Sequence, residues 1–259
     1  MRLSCLLLLL TAVTASAQPA PGVLAHGLFN ATITAEVDAS KGTFGDPTSI
    51  APDISIAAGD RLTFLLIHST FGRTGFRGGA GAGICITDRC AKTYDNVGGE
   101  VYLGLYDGTF AFAANGGIHA NSFDGELYAG KLGARMRLRA GPLSLVSVPS
   151  VAIAITKRDD SPDRIFVPFN VSALVGGGVS LGLITGFKSP LDDIEASYEI
   201  AAGAFVTYQA TPSLGFAASW VHGKIIGGDT AVPEGTSGID SRALQIWVTI
   251  TRSAYTRYR

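Results

Sequence analysis

Tyr128-Ala129-Gly130-Lys131-Leu132-Gly133-Ala134-Arg135-Met136-Arg137-Leu138-Arg139 sorts its residues by parity: even positions are apolar or glycine, and odd positions carry all four basic residues. A helix would spread Lys131, Arg135, Arg137 and Arg139 around its circumference. A strand places them on one face. Leu244-Gln245-Ile246-Trp247-Val248-Thr249-Ile250-Thr251 repeats the rule, with every even position aliphatic. The first segment exceeds the usual strand of about six residues. It is long enough for a tilted bilayer-crossing strand, which takes about nine to eleven.

Working outward, the same alternation recurs along the chain. Phe29, Ala31, Ile33 and Ala35 interleave with Asn30, Thr32, Thr34 and Glu36; Ile165, Val167, Phe169 and Val171 interleave with Arg164, Asn170 and Ser172. The pattern predicts about twelve strands, at 23–36, 50–58, 61–70, 97–106, 109–119, 125–139, 143–156, 164–175, 178–187, 196–209, 213–223 and 240–252. Their connections alternate in length. Gly59-Asp60, Asp107-Gly108, Ala140-Gly141-Pro142, Gly176-Gly177 and Ala210-Thr211-Pro212 have tight-turn chemistry. The intervening connections are longer, apart from Ala120–Asp124, and the longest runs from Phe71 to Asn96. Long–short alternation over an even number of strands is the rhythm of an outer-membrane barrel. The expected fold is therefore all-β, a transmembrane antiparallel up-and-down β-barrel of about twelve strands. Closure also answers a physical demand, because lipid offers no partner for an unpaired backbone N–H or C=O. A soluble sandwich or lipocalin-like barrel would bury the apolar faces without explaining the loop rhythm.

Composition agrees. Of 259 residues, 47% are hydrophobic and only 16% charged, which excludes a disordered chain. A net charge of −1 gives no footprint for nucleic acid. At the N-terminus, Arg2 precedes the run Leu6–Leu10 and the small-x-small triplet Ala15-Ser16-Ala17. This is the pattern of a secretory signal peptide over 1–17, whose apolar core is too short to span a bilayer. The barrel domain is then 18–259, reached by export to the cell outer membrane. Its expected partners are outer-membrane lipid, the barrel-assembly machinery and a small-molecule solute. Cys5 leaves with the signal, and Cys85 and Cys90 are expected to form a disulfide in an oxidising compartment. Tyr102, Tyr106, Phe110, Tyr128, Phe187, Tyr198, Tyr208 and Trp220 fall near strand ends, where interfacial girdles belong. Trp247 sits mid-strand on the lumen side, as a candidate interior plug. The tail ends Tyr255-Thr256-Arg257-Tyr258-Arg259, with its aromatic residue penultimate rather than last.

The segment Pro52-Asp53-Ile54-Ser55-Ile56-Ala57-Ala58-Gly59-Asp60-Arg61-Leu62-Thr63 is similar to a first periplasmic hairpin of many small transporter-like outer-membrane barrels. These include the family associated with the phenol-degradation meta-pathway. As a motif the resemblance covers this dozen residues. It implies passage of small compounds, hydrophobic ones among them, and carries over no catalytic or binding residue.

The basic row has two readings. Lys131, Arg135 and Arg137 would line the lumen and favour anions, or they would pair with acids such as Glu36, Asp53 and Glu199 and fill the interior, since buried charge must be paired. Glu36, Asp53 and Glu199 are accordingly lumen-lining candidates too. An inward-folded loop could largely occlude a lumen of this size. His68, His119 and His222 lie near strand ends on non-neighbouring strands, so no metal site or other cofactor is expected. His68-Ser69 and His119-Ala120-Asn121-Ser122 place a base near a nucleophile, but adjacent strand residues face opposite sides and no G-x-S-x-G is present. The expected function is passive or facilitated passage of small solutes, without enzymatic activity. The alternative is a non-conducting structural or adhesive barrel presenting a disulfide-stapled extracellular loop. A lipid hydrolase is the remotest reading.

Overall fold

The computed structural model describes residues 23–90, 92–228 and 241–253. The signal segment 1–17, most of the connection 228–241 and the tail from 254 lie outside the described residues. Fourteen strands run β1 Leu28–Asp38, β2 Thr48–Ala57, β3 Leu62–Ile67, β4 Ile84–Cys85, β5 Val97–Tyr106, β6 Phe110–Ser122, β7 Leu127–Ala140, β8 Leu143–Ser147, β9 Ser150–Ala154, β10 Arg164–Gly176, β11 Val179–Pro190, β12 Glu199–Thr211, β13 Leu214–Gly227 and β14 Arg242–Ser253. Two short helices, α1 Thr70–Thr74 and α2 Ile194–Ser197, lie in connections.

The sheet is antiparallel and closed, because β1 pairs with both β2 and β14. Strands β8 and β9 are two halves of one staircase element: both pair with β7 and β10 in a single register. They part at Pro149, which has no N–H to donate, although its carbonyl still accepts from Ala134. Strand β4 is a fragment beside β2. Twelve staves therefore make the barrel, the number expected from the sequence.

Parity decides the faces. Ile33, Leu132, Leu183 and Ile246 are 50–67% exposed, whereas Glu36, Glu100, Lys131 and Gln245 are at most 2% exposed. The outside is apolar and the inside polar, the reverse of a water-soluble protein. Tyr106, Phe110 and Tyr208 stand outward near the short-turn end, as a girdle requires. Tyr102 does not. It is buried inside against Ala113, because it shares the inward parity of Glu100.

Of the boundaries that depart from expectation, two shape the barrel interior. Strand β1 begins at Leu28 rather than 23: Ala25 accepts from Leu28 N in a turn, and Val23 folds back into the barrel mouth against Tyr102 and Leu65. Strand β3 stops at Ile67, where the chain turns into the lumen. The place it vacates beside the upper part of β2 is taken by β4, whose Ile84 and Cys85 pair with Ile50 and Ser49.

Candidate functional site

The lumen is organised by the connection from β3 to β5. Its first part folds inward, so the whole of Phe71–Asn96 is not an external loop. Helix α1 is capped at its start by Ser69, whose hydroxyl accepts from Gly72 N, and at its end by Gly75 in the left-handed conformation that glycine adopts freely. Carboxylates of the barrel wall hold this turn. Asp53 accepts from His68 N (2.7 Å), Ser69 N (2.9 Å) and the Ser69 hydroxyl. Glu36 accepts from Thr70 N (2.7 Å) and its hydroxyl (2.9 Å), and from Gln245 Nε2. Further along, Gln245 Nε2 donates to Gly79 O and Lys131 Nζ to Gly72 O. Each contact satisfies a group that would otherwise be buried without a partner.

The opposite wall is apolar. Phe76, 4% exposed, packs on Phe166, Ile184, Ala201 and Val221 from β10, β11, β12 and β13. The loop therefore enters because one edge finds hydrogen-bond acceptors and the other finds a hydrophobic wall. Burying such a phenyl group stabilises by roughly 1.5–3 kcal/mol.

Within β5–β7, Glu100 is the hub. Its carboxylate accepts from Lys131 Nζ (2.7 Å) and Asn115 Nδ2 (2.8 Å), and His119 Nε2 lies at 2.9 Å. The Glu100 side chain is fully buried and that of Lys131 is 2% exposed. Glycines on the same face make room for it. A Cβ at Gly98 would stand 2.1 Å from the His119 ring, so this histidine lies flat only over glycine.

The basic row of β7 thus divides. Lys131 pairs with Glu100, not with the expected Glu36, Asp53 or Glu199. Those acids were not available to it: Glu36 and Asp53 serve the loop, and Glu199 pairs with Lys188 at 2.5 Å near the long-loop rim. Arg137 reaches Asp107 of a short turn at 3.5 Å. Arg135 lines the inner lumen beside the Tyr102 hydroxyl, with its Nε buried and lacking a hydrogen-bond partner. Two further cations come from the loop. Arg73 is drawn electrostatically toward Glu36, yet its Nε is also buried without a partner. The Arg77 guanidinium lies 3.9 Å from the Phe71 ring centroid and 3.7 Å from that of Trp247. Trp247 does fill the interior, as its parity indicates.

The loop leaves a cavity on each side. The outer one, about 340 Å³ toward the long connections, is lined by Thr70, Arg73, Lys131, Arg164 and Lys188 among others. The inner one, about 290 Å³ toward the short turns, is lined by Arg77, Arg135, Tyr102, Trp247 and Leu65 among others. Alternate faces of the same loop wall the two chambers.

Cys85 and Cys90 are bonded, with a Cα separation of 6.1 Å. They staple the part of the connection that stays outside the lumen. Asn96 ties this part back: its Oδ1 accepts from Gly83 N, and its Nδ2 donates to His68 O. The two Ser–His pairings do not assemble. Ser122 donates to Asp95 at 2.7 Å while His119 faces Glu100, and Ser69 is engaged by Asp53. Among the described residues no group of three His, Cys, Asp or Glu side chains is placed to hold a metal ion.

Sequence reasoning missed Glu100, Arg73, Phe76 and Arg77. Glu100 was legible in the alternation Gly98-Glu100-Tyr102 opposite the basic row of β7. The loop residues carry no periodicity that would have marked them as internal.

With this geometry in hand, comparison places the fold among known channels. The NanC porin superposes with a TM-score of 0.59 at 10% identity, over 85% of this chain and 98% of that one. The KdgM porin gives 0.55 at 8% identity, over 85% and 98%. An outer membrane channel from Pseudomonas putida gives 0.53 at 12% identity, over 92% and 98%. At such identities the likeness establishes the closed twelve-stave barrel and nothing finer. No family model matches the chain, and neither does any curated protein. Membership of the meta-pathway family is accordingly not shown.

Proposed function

We propose that this chain is an outer-membrane channel for small solutes, with a lumen narrowed by its own loop and biased toward anions. Its apolar girth suits acyl chains, and its short turns then face the periplasm. Support for passage comes from the porin-like neighbours and from two chambers in line along the barrel. The anion bias rests on one observation. The lumenal carboxylates Glu36, Asp53 and Glu100 are each taken up by three donor groups, whereas Arg73, Arg77 and Arg135 face the cavities without a carboxylate at salt-bridge distance among the described residues. A low-dielectric wall focuses such a field on the solute path.

The test is the reversal potential of purified protein in a planar bilayer across a potassium chloride gradient. A chloride preference that falls in Arg73→Gln and Arg135→Gln supports the reading. Cation preference, or steady ohmic current indifferent to both substitutions, contradicts it. A complete absence of conductance favours a non-conducting barrel whose stapled loop meets something outside.

A further inference from the structure

The placement of the cations in the two chambers points to a class of solute. The outer chamber offers dispersed charge: Arg73, Lys131, Arg164 and Lys188 surround it, and hydroxyls of Thr70 and Ser161 intervene. The inner chamber sets two guanidinium groups beside one apolar wall, with the hydroxyls of Thr32, Thr34, Ser55 and Thr249 also in its lining. Val23, Leu65, Ile67, Tyr102 and Trp247 line it, and Arg77 and Arg135 both face it. These two guanidinium groups repel one another. Asp53, the carboxylate lining the same chamber, accepts from His68 N, Ser69 N and the Ser69 hydroxyl, all neutral donors, so its charge offsets one of the two guanidinium groups. Arg77 is held between two rings, so its cationic face is turned to aromatic carbon rather than to an anion. Arg135 has the buried, unpartnered Nε. Two cations against one lining carboxylate leave one positive charge in excess, and beside an apolar wall that excess makes a receptor for a ligand that brings one negative charge and a hydrocarbon body.

We infer that the inner chamber is a selectivity site for a monoanion carried on a compact apolar body, with Arg135 receiving the anionic group and the wall formed by Leu65, Tyr102 and Trp247 receiving the body. This rests on the channel reading above and narrows its substrate class. A chamber of about 290 Å³ sits at the small end of ligand pockets, which run from roughly 300 to 1,000 Å³. It suits a solute of one ring or a short branched chain rather than an oligomer. Forked N–H donors on a guanidinium match a carboxylate. Each methylene of apolar contact adds about tenfold or more in discrimination, so acetate serves as the poor homologue of the same headgroup.

The protein carries its own reporter. It has two tryptophans, Trp220 on the outer face and Trp247 in the inner chamber, and Trp220→Phe leaves the second alone. We would titrate this variant in detergent with cyclohexanecarboxylate, acetate and the neutral alcohol cyclohexylmethanol, following Trp247 emission. The expected result is a saturable change with cyclohexanecarboxylate at a Kd at least about tenfold below that of acetate, and none with the alcohol. Arg135→Gln should weaken the carboxylate at least about tenfold. Leu65→Ala should weaken cyclohexanecarboxylate while leaving acetate unchanged, which controls against a general folding defect. Equal affinity for the two acids overturns the claim of apolar selection. Equal binding of acid and alcohol overturns the role of Arg135, and no saturable change with any probe overturns the site. Bilayer recordings on the same preparation separate this inference from its foundation. Chloride-selective current without a Trp247 response sinks the site and spares the channel, whereas a Trp247 response without current sinks the channel and spares the site.

Discussion

Replacing Glu100 with glutamine removes one charge and almost no volume from the centre of the β5–β7 wall. The Lys131 ammonium lies 2.7 Å from the carboxylate, with side-chain exposures of 2% and 0%. At an effective dielectric of about 20, two unit charges at that distance attract by about 6 kcal/mol. Desolvation of both ions opposes this, by several kcal/mol each. Removing one partner keeps the desolvation of the other and loses its compensation, a change that costs about 3–5 kcal/mol in buried pairs. Glu100→Gln retains an oxygen for Asn115 and Lys131, so the low end, about 3 kcal/mol, is expected. The assay is urea unfolding of protein folded in lipid vesicles, followed by tryptophan fluorescence. Lys131→Met in the Glu100→Gln background should recover at least half of the loss, because the stranded ammonium is then gone. A loss below about 1 kcal/mol, the range of exposed pairs, would refute the buried-pair reasoning. So would a double variant whose loss equals the sum of the two single ones.

Other expectations follow from the same geometry. Phe76→Ala should loosen the loop from its apolar wall, costing about 3–5 kcal/mol in vesicle unfolding and raising single-channel conductance; unchanged conductance would mean the loop does not set the constriction. Gly98→Ala sets a methyl group against the His119 ring and should destabilise by about 1–3 kcal/mol, with a displaced His119 resonance as its signature. Serine at both Cys85 and Cys90 should cost no more than about 2 kcal/mol, since the closed loop is short, and should leave ion selectivity unchanged. Asp95 lies on the long-loop side. Burial pushes its carboxyl up, but donors from Asp124 N, the Ser122 hydroxyl and Phe123 N outweigh this and hold it below the usual range. Its contribution is therefore present above the unfolded-state pKa and lost as pH falls through the depressed one, so amide protection at Phe123 and Asp124 should survive mild acid and fail only below the ordinary carboxylate range.

Much of the barrel was legible because parity is a local property. Lys131, Arg135 and Arg137 announced an inward face, and the observed register keeps all three there. Tight turns expected at Asp107-Gly108 and Gly176-Gly177 located the short end in the same way, the second lying one residue further on, at Gly177-Gly178. What parity does not specify is which inward residue meets which. The pairing of Lys131 with Glu100 follows from adjacency of β5, β6 and β7, yet Glu36 and Asp53 were drawn toward the basic row because the loop that claims them has no periodic signature. Phe76 and Arg77 sit in a glycine-rich connection, where an apolar or basic residue reads as solvent-facing until a hydrophobic wall across the lumen is known. Val23 and Tyr102 failed for a related reason. Each follows a correct local pattern, and each was captured by a contact distant in sequence.

The apolar exterior of this closed barrel meets lipid while its interior stays apart from it, and the two tryptophans distinguish the faces. In vesicles with brominated acyl chains, Trp247→Phe leaves Trp220 as the only indole, and Trp220→Phe leaves Trp247. Trp220 should be strongly quenched and Trp247, which is 8% exposed and covered by Arg77, only weakly. Equal quenching of both, or a chain that remains in the aqueous phase with neither quenched, would contradict this arrangement.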